Sequence, residues 1–340
     1  MGGFVLAMLV LAAARAGADG TQPAAPNALL VVDENKPPSV LRVPLAGGAV
    51  TVFSPPAGAQ TNLLTSPRGI GVGPDGTIVV ANFFEGTLVE IDPATGAQFP
   101  VAGLLSGPPV IGSLPRDVAV NPRDPAPGFL PTLGVASQGE LHQVVRNTFD
   151  TTGSLLAPYP SPYDPYVARF VVALDPGNGD PMDYVVATDA LPKLLHYDGA
   201  LDAFEPLPHP VGDFTGLDVP RDFTVQLVAG IRSEPCPSPS NGILFFTSLS
   251  DFPYFVAAPC PGPVAYDRFA QLLYYVDAGS NPQDVRVNGQ PIATLPSGTS
   301  AIDMALARVP EPGRVALHAA ALVALGGLLR AHPGRRPCAR

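Results

Sequence analysis

The stretch PRGIGVGPDGTIVVANFFEGTLVEIDPATG, from Pro67 to Gly96, holds three apolar runs, PRGIGV, TIVVAN and TLVEID. Each ends in turn chemistry: Gly-Pro-Asp-Gly after the first, and Asp92-Pro93-Ala94-Thr95-Gly96 at the third. Short runs rich in β-branched residues and punctuated this way read as antiparallel strands with tight connections.

The same three elements recur along the sequence, which is the strongest organising signal a sequence can carry. The first returns at Pro115-Arg116-Asp117-Val118-Ala119-Val120 and at Pro220-Arg221-Asp222-Phe223-Thr224-Val225, with weaker copies at Ala168–Val172 and Ala301–Leu306. The second returns as TLGVAS from Thr132, YVVATD from Tyr184 and ILFFTS from Ile243, and ALLVVD from Ala28 opens the series. The third returns as VLRVPLAGG from Val40, LHQVV from Leu141, KLLHYDGA from Lys193 and LLYYVDAGS from Leu272. Measured at Ile70, Val118, Phe170, Phe223 and Ile302, the steps are 48, 52, 53 and 79 residues. The long last step reads as one unit stretched by an insertion at Ser250–Phe269.

Short strands at this spacing are expected to form the blades of an all-β propeller, small antiparallel sheets set around a channel. Five blades are counted over 27–308, with a sixth left open. The repeat series begins with a second element and ends with a first, at Ala301. Pairing these two ends would complete one blade and close the ring, hiding its sheet edges. A β-sandwich would not predict matched half-blades at the two ends.

The repeats resemble NHL-type and gluconolactonase-like propellers, most closely over Pro67 to Gly96. That resemblance implies six blades and, for the gluconolactonase-like members, a divalent cation held by acidic and Asn side chains to polarise a lactone or activate water. The relatives' glutamate at an opening strand has no clear counterpart here.

Composition agrees with a turn-rich β protein. The 340 residues include 43 Pro and 35 Gly, which exclude long helices, while 46% hydrophobic residues exclude disorder. A net charge of −10 argues against a nucleic-acid partner.

Both ends read as addresses. Phe4–Ala14 is an apolar run suited to a signal-peptide core, with small residues at Ala14, Ala16 and Ala18 for cleavage, so 1–18 is read as a leader and 19–26 as a spacer. Near the C-terminus, Pro310-Glu311-Pro312 precedes an apolar run from Val315 to Leu329 and then Arg330, Arg335, Arg336 and Arg340. This tripartite order resembles the PEP-CTERM sorting signal of Gram-negative bacteria. The resemblance implies processing of 309–340 by an exosortase-type membrane enzyme, transient membrane association through the tail, and export to the periplasm, outer surface or beyond. Losing both ends removes six arginines and one glutamate, and takes the net charge from −10 to −15.

Of three cysteines, Cys338 lies in that tail, leaving Cys236 and Cys260 in proline-flanked loops. In an oxidising compartment the pair reads as a disulfide. Zinc is the weaker alternative, since no His lies near either in sequence.

In a propeller, loops entering the inner strand share one face with loops leaving the second strand. That places Arg68, Arg116, Asp117, Arg169, Arg221, Asp222 and Asp303, with Asp33, Glu34, Asn82, Ser137, Asp189 and Asp251, around the channel. The binding candidates among them are Arg68, Asn82, Arg116, Asp117, Asp189, Arg221, Asp222 and Asp303. Asp117, Asp222 and Asp303 are the candidates for a hard cation such as calcium. The competing and preferred reading is structural: Arg and Asp of neighbouring blades pair to hold the ring. His142 and His196 fall on third-element strands away from the axis, and only His209 precedes an entry strand. Tyr159–Tyr166, with Phe252 and Tyr254, gathers aromatics for loop packing or for stacking on a ligand. No nucleophile elbow, Walker loop or His-Glu-x-x-His motif is present. The sequence therefore points first to an exported binding or scaffold propeller that needs no cofactor and takes an extracellular polysaccharide or protein. The alternative is a cation-dependent hydrolase or lactonase working on the channel face.

Overall fold

β1 (Ala28–Asp33) is buried from its first residue to its last, which explains why ALLVVD reads as an unbroken apolar run instead of an alternation. A strand covered on both faces needs apolar side chains at every position. The computed structural model describes residues 27–307 except 74, 102–113, 124–128, 148–150, 159–167, 176–180, 190–192, 211, 220–225, 234–235 and 268–269. The leader, the spacer, the tail with Pro310, Glu311 and Pro312, and the Tyr159–Tyr166 segment all fall outside the described residues.

β2 (Ser39–Pro44) and β3 (Thr51–Ser54) continue outward from β1. Blade two is β4 (Pro67–Val72), β5 (Ile78–Asn82), β6 (Thr87–Ile91) and β7 (Gln98–Pro100). Blade three is β8 (Pro115–Val120), β9 (Phe129–Ser137), β10 (Glu140–Asn147) and β11 (Thr151–Pro158). Blade four is β12 (Ala168–Leu174), β13 (Asp183–Thr188), β14 (Leu194–Asp198) and β15 (Ala203–Pro206). Blade five is β16 (Asp213–Asp218), β17 (Leu227–Arg232), β18 (Gly242–Phe246) and β19 (Tyr254–Ala257). Blade six is β20 (Pro261–Asp267), β21 (Leu272–Asp277), β22 (Asp284–Val287) and β23 (Gln290–Thr294). Finally β24 (Ala301–Ala307) pairs antiparallel with β1 and supplies the inner strand of blade one. The inner strands meet their neighbours in cyclic order, so the six sheets form a closed six-bladed β-propeller.

The core is not central. It consists of six apolar clusters, one in each gap between adjacent blades. Leu30, Val32, Ile70 and Val80 fill the gap between blades one and two, and Val79, Leu88, Val118 and Val135 the next. Across the seam, Leu29 and Val31 of β1 pack with Tyr274 and Val276 of blade six, so the paired ends are locked by packing as well as by the ladder. The outermost strands face solvent, and β19 is exposed along its whole length.

The count of five blades is corrected to six. The step of 79 residues spans the outer three strands of blade five and the whole of blade six rather than one blade with an insertion: Ser250–Phe269 contains all of β19 and β20. ILFFTS is the third strand of blade five, and LLYYVD the second strand of blade six. Blade six was concealed because its inner strand reads PGPVAYD, and two prolines argue against a strand in the interior of a sheet. The inner strand of blade five is also reassigned. It is Asp213–Asp218 (DFTGLD), ahead of the segment Pro220–Val225. Arg221 and Asp222 lie outside the described residues, in the stretch connecting β16 to β17.

Cys236 and Cys260 form the expected disulfide, which ties the connection after β17 to the entry of β20. Asn241 seals the same corner: its amide donates to the Pro259 carbonyl at 2.9 Å and accepts from the Ser233 amide at 2.6 Å. The bridge closes a sequence separation of 24 residues. A Cys236→Ala/Cys260→Ala double variant is expected to lose about 3 kcal/mol, read from urea unfolding with no reductant present.

Candidate functional site at the channel mouth

The residues at the mouth are aimed by a backbone irregularity that repeats around the ring. In β4, Pro67 pairs with Asn82 and Gly69 with Ala81, so Arg68 has no partner of its own. The same count leaves Arg116 unpaired in β8 and Arg169 unpaired in β12. In β16 and β24 the extra residues are Thr215 and Ile302. A bulge turns its extra residue out of the pleat. Here it sends three guanidiniums from three consecutive blades toward one rim.

Two of the three are matched with carboxylates from connections that follow second strands, the placement expected from the repeat. Glu34, after β1, meets Arg68 at 2.5 Å, and Asp189, after β13, binds Arg169. Arg116 lies between them and stacks on Phe83, its guanidinium carbon 4.3 Å from the ring centroid. Burial first, then the positive charge of Arg68 and of Arg169, holds the Arg116 pKa below its ordinary value, with Asp189 opposing. Phe84 stands edge-on to Phe83 at 4.9 Å and is 70% exposed, so it presents an aromatic surface to solvent.

The inner-strand carboxylates turn the other way, into the ring. Asp117 and Asp303 are both buried. Asp117 accepts the Val171 amide of blade four at 2.7 Å, and Asp303 accepts the Ile70 amide of blade two at 2.7 Å. Asp218 does the same two residues farther along its bulged strand, accepting the Tyr266 amide of blade six at 2.6 Å. Blades one, three and five thus each reach to the next blade with an aspartate. Each bond satisfies a backbone donor at the crowded axis, where an orphan amide would be costly. Asp117 and Asp303 also hydrogen-bond each other. Burial and the neighbouring Asp303 charge push Asp117 well above the usual carboxylate range. Burial pushes Asp303 up to about 7, against the lowering effect of the Ile70 and Met304 amides. Burial therefore favours the protonated form of both carboxyls.

Of the cation candidates, the structure brings together Asp117 and Asp303, while Asp222 is outside the described residues. Asp218 is the axial carboxylate that sequence reasoning missed. Its strand carries no Pro-Arg signal, and the Pro-Arg-Asp just after it drew attention away. Among the described residues no group of three metal-ligating side chains is arranged to hold a metal ion.

The other candidates divide by what their polar atoms touch. Asn82 is buried and fully engaged, donating to the Leu63 carbonyl at 2.6 Å and accepting the Thr65 and Ser66 amides, both at 3.2 Å. It fastens the connection entering β4. Asn82→Ala is expected to cost about 2–3 kcal/mol in a urea denaturation series, because three backbone groups lose their partner at once. Asp33 accepts the Asn35 amide at 3.1 Å and the Ser300 amide at 3.0 Å, stapling the seam where the ring closes. Ser137 is buried and donates to the Glu140 carbonyl, whereas Asp251 is exposed. His142 bonds Glu140 at 3.0 Å and His196 meets Asp183 at 3.3 Å, both on third strands as expected. His209 bonds the Pro210 carbonyl and packs edge-on against Phe214. Phe252, on the connection into β19, and Tyr254, the first residue of that strand, are exposed at the outer edge of blade five.

No family model matches the protein, and no curated protein matches it in sequence. Among solved structures it is similar to one from a nidogen/laminin complex, at 14% identity and a TM-score of 0.57, with an alignment that covers 82% of this protein and 98% of the other. It is also similar to TolB from Acinetobacter baumannii, at 12% identity and a TM-score of 0.54, with an alignment that covers 88% of this protein and 71% of the other. At such identities the likeness shows the propeller fold alone.

Proposed function

We propose that this propeller is an exported binding module that captures its ligand on the channel mouth. The observation that carries the reading is a division of labour among the mouth residues. The axial carboxylates face inward and bind backbone amides, whereas the bulged arginines, half-buried at Arg68 and Arg116 and exposed at Arg169, stand on the rim with an exposed phenylalanine. Cations beside an aromatic surface are the equipment of recognition. Export is supported by the disulfide, which belongs to an oxidising compartment, and by the leader-like and PEP-CTERM-like ends of the sequence. On this reading an exosortase-type enzyme processes 309–340 and delivers the propeller to the envelope or matrix.

The rival reading is a cation-dependent hydrolase of the gluconolactonase-like kind. It requires Asp117 and Asp303 to exchange backbone amides for a metal ion. Equilibrium dialysis against calcium separates the two readings. The binding module is expected to take up no stoichiometric calcium at about 10 mM free ion, well above the Kd of about 1 mM of the weakest dedicated protein sites. One equivalent bound by the native protein and lost in Asp117→Asn would replace it with the catalytic reading.

A further inference from the structure

The three mouth arginines pose one electrostatic problem, and the protein answers it internally for two of them. Arg68 has Glu34, and Arg169 has Asp189. Arg116, between these cations, makes no ion pair among the described residues, and its buried Nε has no hydrogen-bond partner. A guanidinium flanked by two others is a strong site for an anion, and its planar fork matches a carboxylate. The Phe83 ring holds the guanidinium from below, so little side-chain freedom is lost when an anion arrives.

The rest of the molecule narrows the ligand. The protein has a net charge of −10, which repels a polyanion at long range while leaving one half-buried, focused charge attractive. Beside Arg116 the surface is aromatic, with Phe84 exposed at the edge of Phe83. We infer that Arg116 anchors a carboxylate-binding subsite whose ligand carries a single carboxylate next to an apolar or aromatic group. Glu34 and Asp189 show the same chemistry supplied from within. The inference rests on the reading of the mouth as a binding face and adds the chemical class of what binds there. A free organic acid and the terminal carboxylate of a peptide share this chemistry.

The test is a nitrogen-15 titration of the purified protein, watching the Arg116 Nε–Hε resonance and, in native protein and variants alike, the backbone amides of Phe83 and Phe84 beside it. The probes are 3-phenylpropionate and N-acetyl-alanyl-phenylalanine, each with its primary amide as control. The acids are expected to bind with a Kd of about 1 mM, the range for ligands of this size. The amides should bind at least about tenfold more weakly, as should the acids to Arg116→Gln at unchanged Tm. A peptide acid binding about tenfold tighter than 3-phenylpropionate assigns the carboxyl end of a peptide as ligand. Equal affinities assign a small free acid. Acid and amide binding equally well overturns the carboxylate and leaves the binding face standing. No shift with any probe overturns the subsite. If Arg116→Gln fails to fold, the acid–amide comparison on the native protein and the variant Arg116→Lys, which keeps charge but loses the fork, decide the matter.

Discussion

Gly69→Ala is expected to destabilise the propeller by about 3–5 kcal/mol, or to prevent folding at 37 °C, although it adds only one methyl group. A Cβ at Gly69 would lie 2.0 Å from Asp117 Oδ1 and 2.6 Å from Asp117 Cα. The carboxylate cannot swing aside without surrendering the Val171 amide, and the Cα cannot move without carrying β8 with it. Relief thus requires the inner strands of blades two and three to part. Gly71, two residues on, faces the Val118 carbonyl at 2.5 Å by the same construction, so the contact runs along both strands. Parting them also strains the Ile70 amide bond to Asp303. The measurement is a urea midpoint compared with Gly86→Ala. Gly86 has a φ of +65° with nothing within 4 Å of the added Cβ, and it should lose only about 1 kcal/mol. Equal losses for the two variants would mean that the axial approach is no tighter than an ordinary turn.

How far the sequence disclosed this architecture follows from what each strand had to do. Second strands such as IVVAN and ALLVVD are packed on both faces, so composition alone reveals them. The closing pair was legible because half a blade at one end is meaningful only with the other half at the far end. Inner strands were clearest where a bulged arginine follows a proline, as in β4 and β8, and fainter but still legible at β12 and β24. DFTGLD and PGPVAYD meet the same geometric demands with other residues: Thr215 and a Gly-Pro step take the bulge, and the axial carboxylate shifts to Asp218. Pattern matching therefore placed the fourth copy on Pro220–Val225 and merged two blades. At the mouth, residue types were readable but their partners were not. Nothing local distinguishes Asn82, whose amide is spent on backbone, from a ligand-binding asparagine. Nor does sequence say that Arg116 is the guanidinium left between two paired ones, because Glu34 and Asp189 reach the rim from blades one and four.

Asp303→Asn is expected to abolish much of the pH dependence of stability between about pH 4 and pH 7. The unfolded protein releases the Asp303 proton near the ordinary value of 3.8, whereas in the folded ring burial keeps the proton bound up to about 7. Between those values the folded state binds more protons than the unfolded one, so stability falls as pH rises. Below pH 4 both states are protonated and the penalty vanishes, and above about 7 it is constant. Its size is on the order of a few kcal/mol. Asp117 is also raised, first by its burial and then by the Asp303 charge, so it contributes to stability with the same sign. An asparagine at 303 can accept the Ile70 amide through its oxygen and donate to Asp117 through its nitrogen, so the inter-blade bonds are retained while the ionisation is removed. The variant should match the native protein at pH 4 and exceed it by a few kcal/mol at pH 8, measured as urea midpoints across the range. Asp303→Ala is the complementary case. It removes the charge but leaves the Ile70 amide without an acceptor, so it should be less stable than native at pH 4 by about 1–3 kcal/mol. Should Asp303→Asn instead lose stability at every pH, the carboxylate would be ionised and paired in the native ring, and a buried, protonated Asp303 would have to be abandoned.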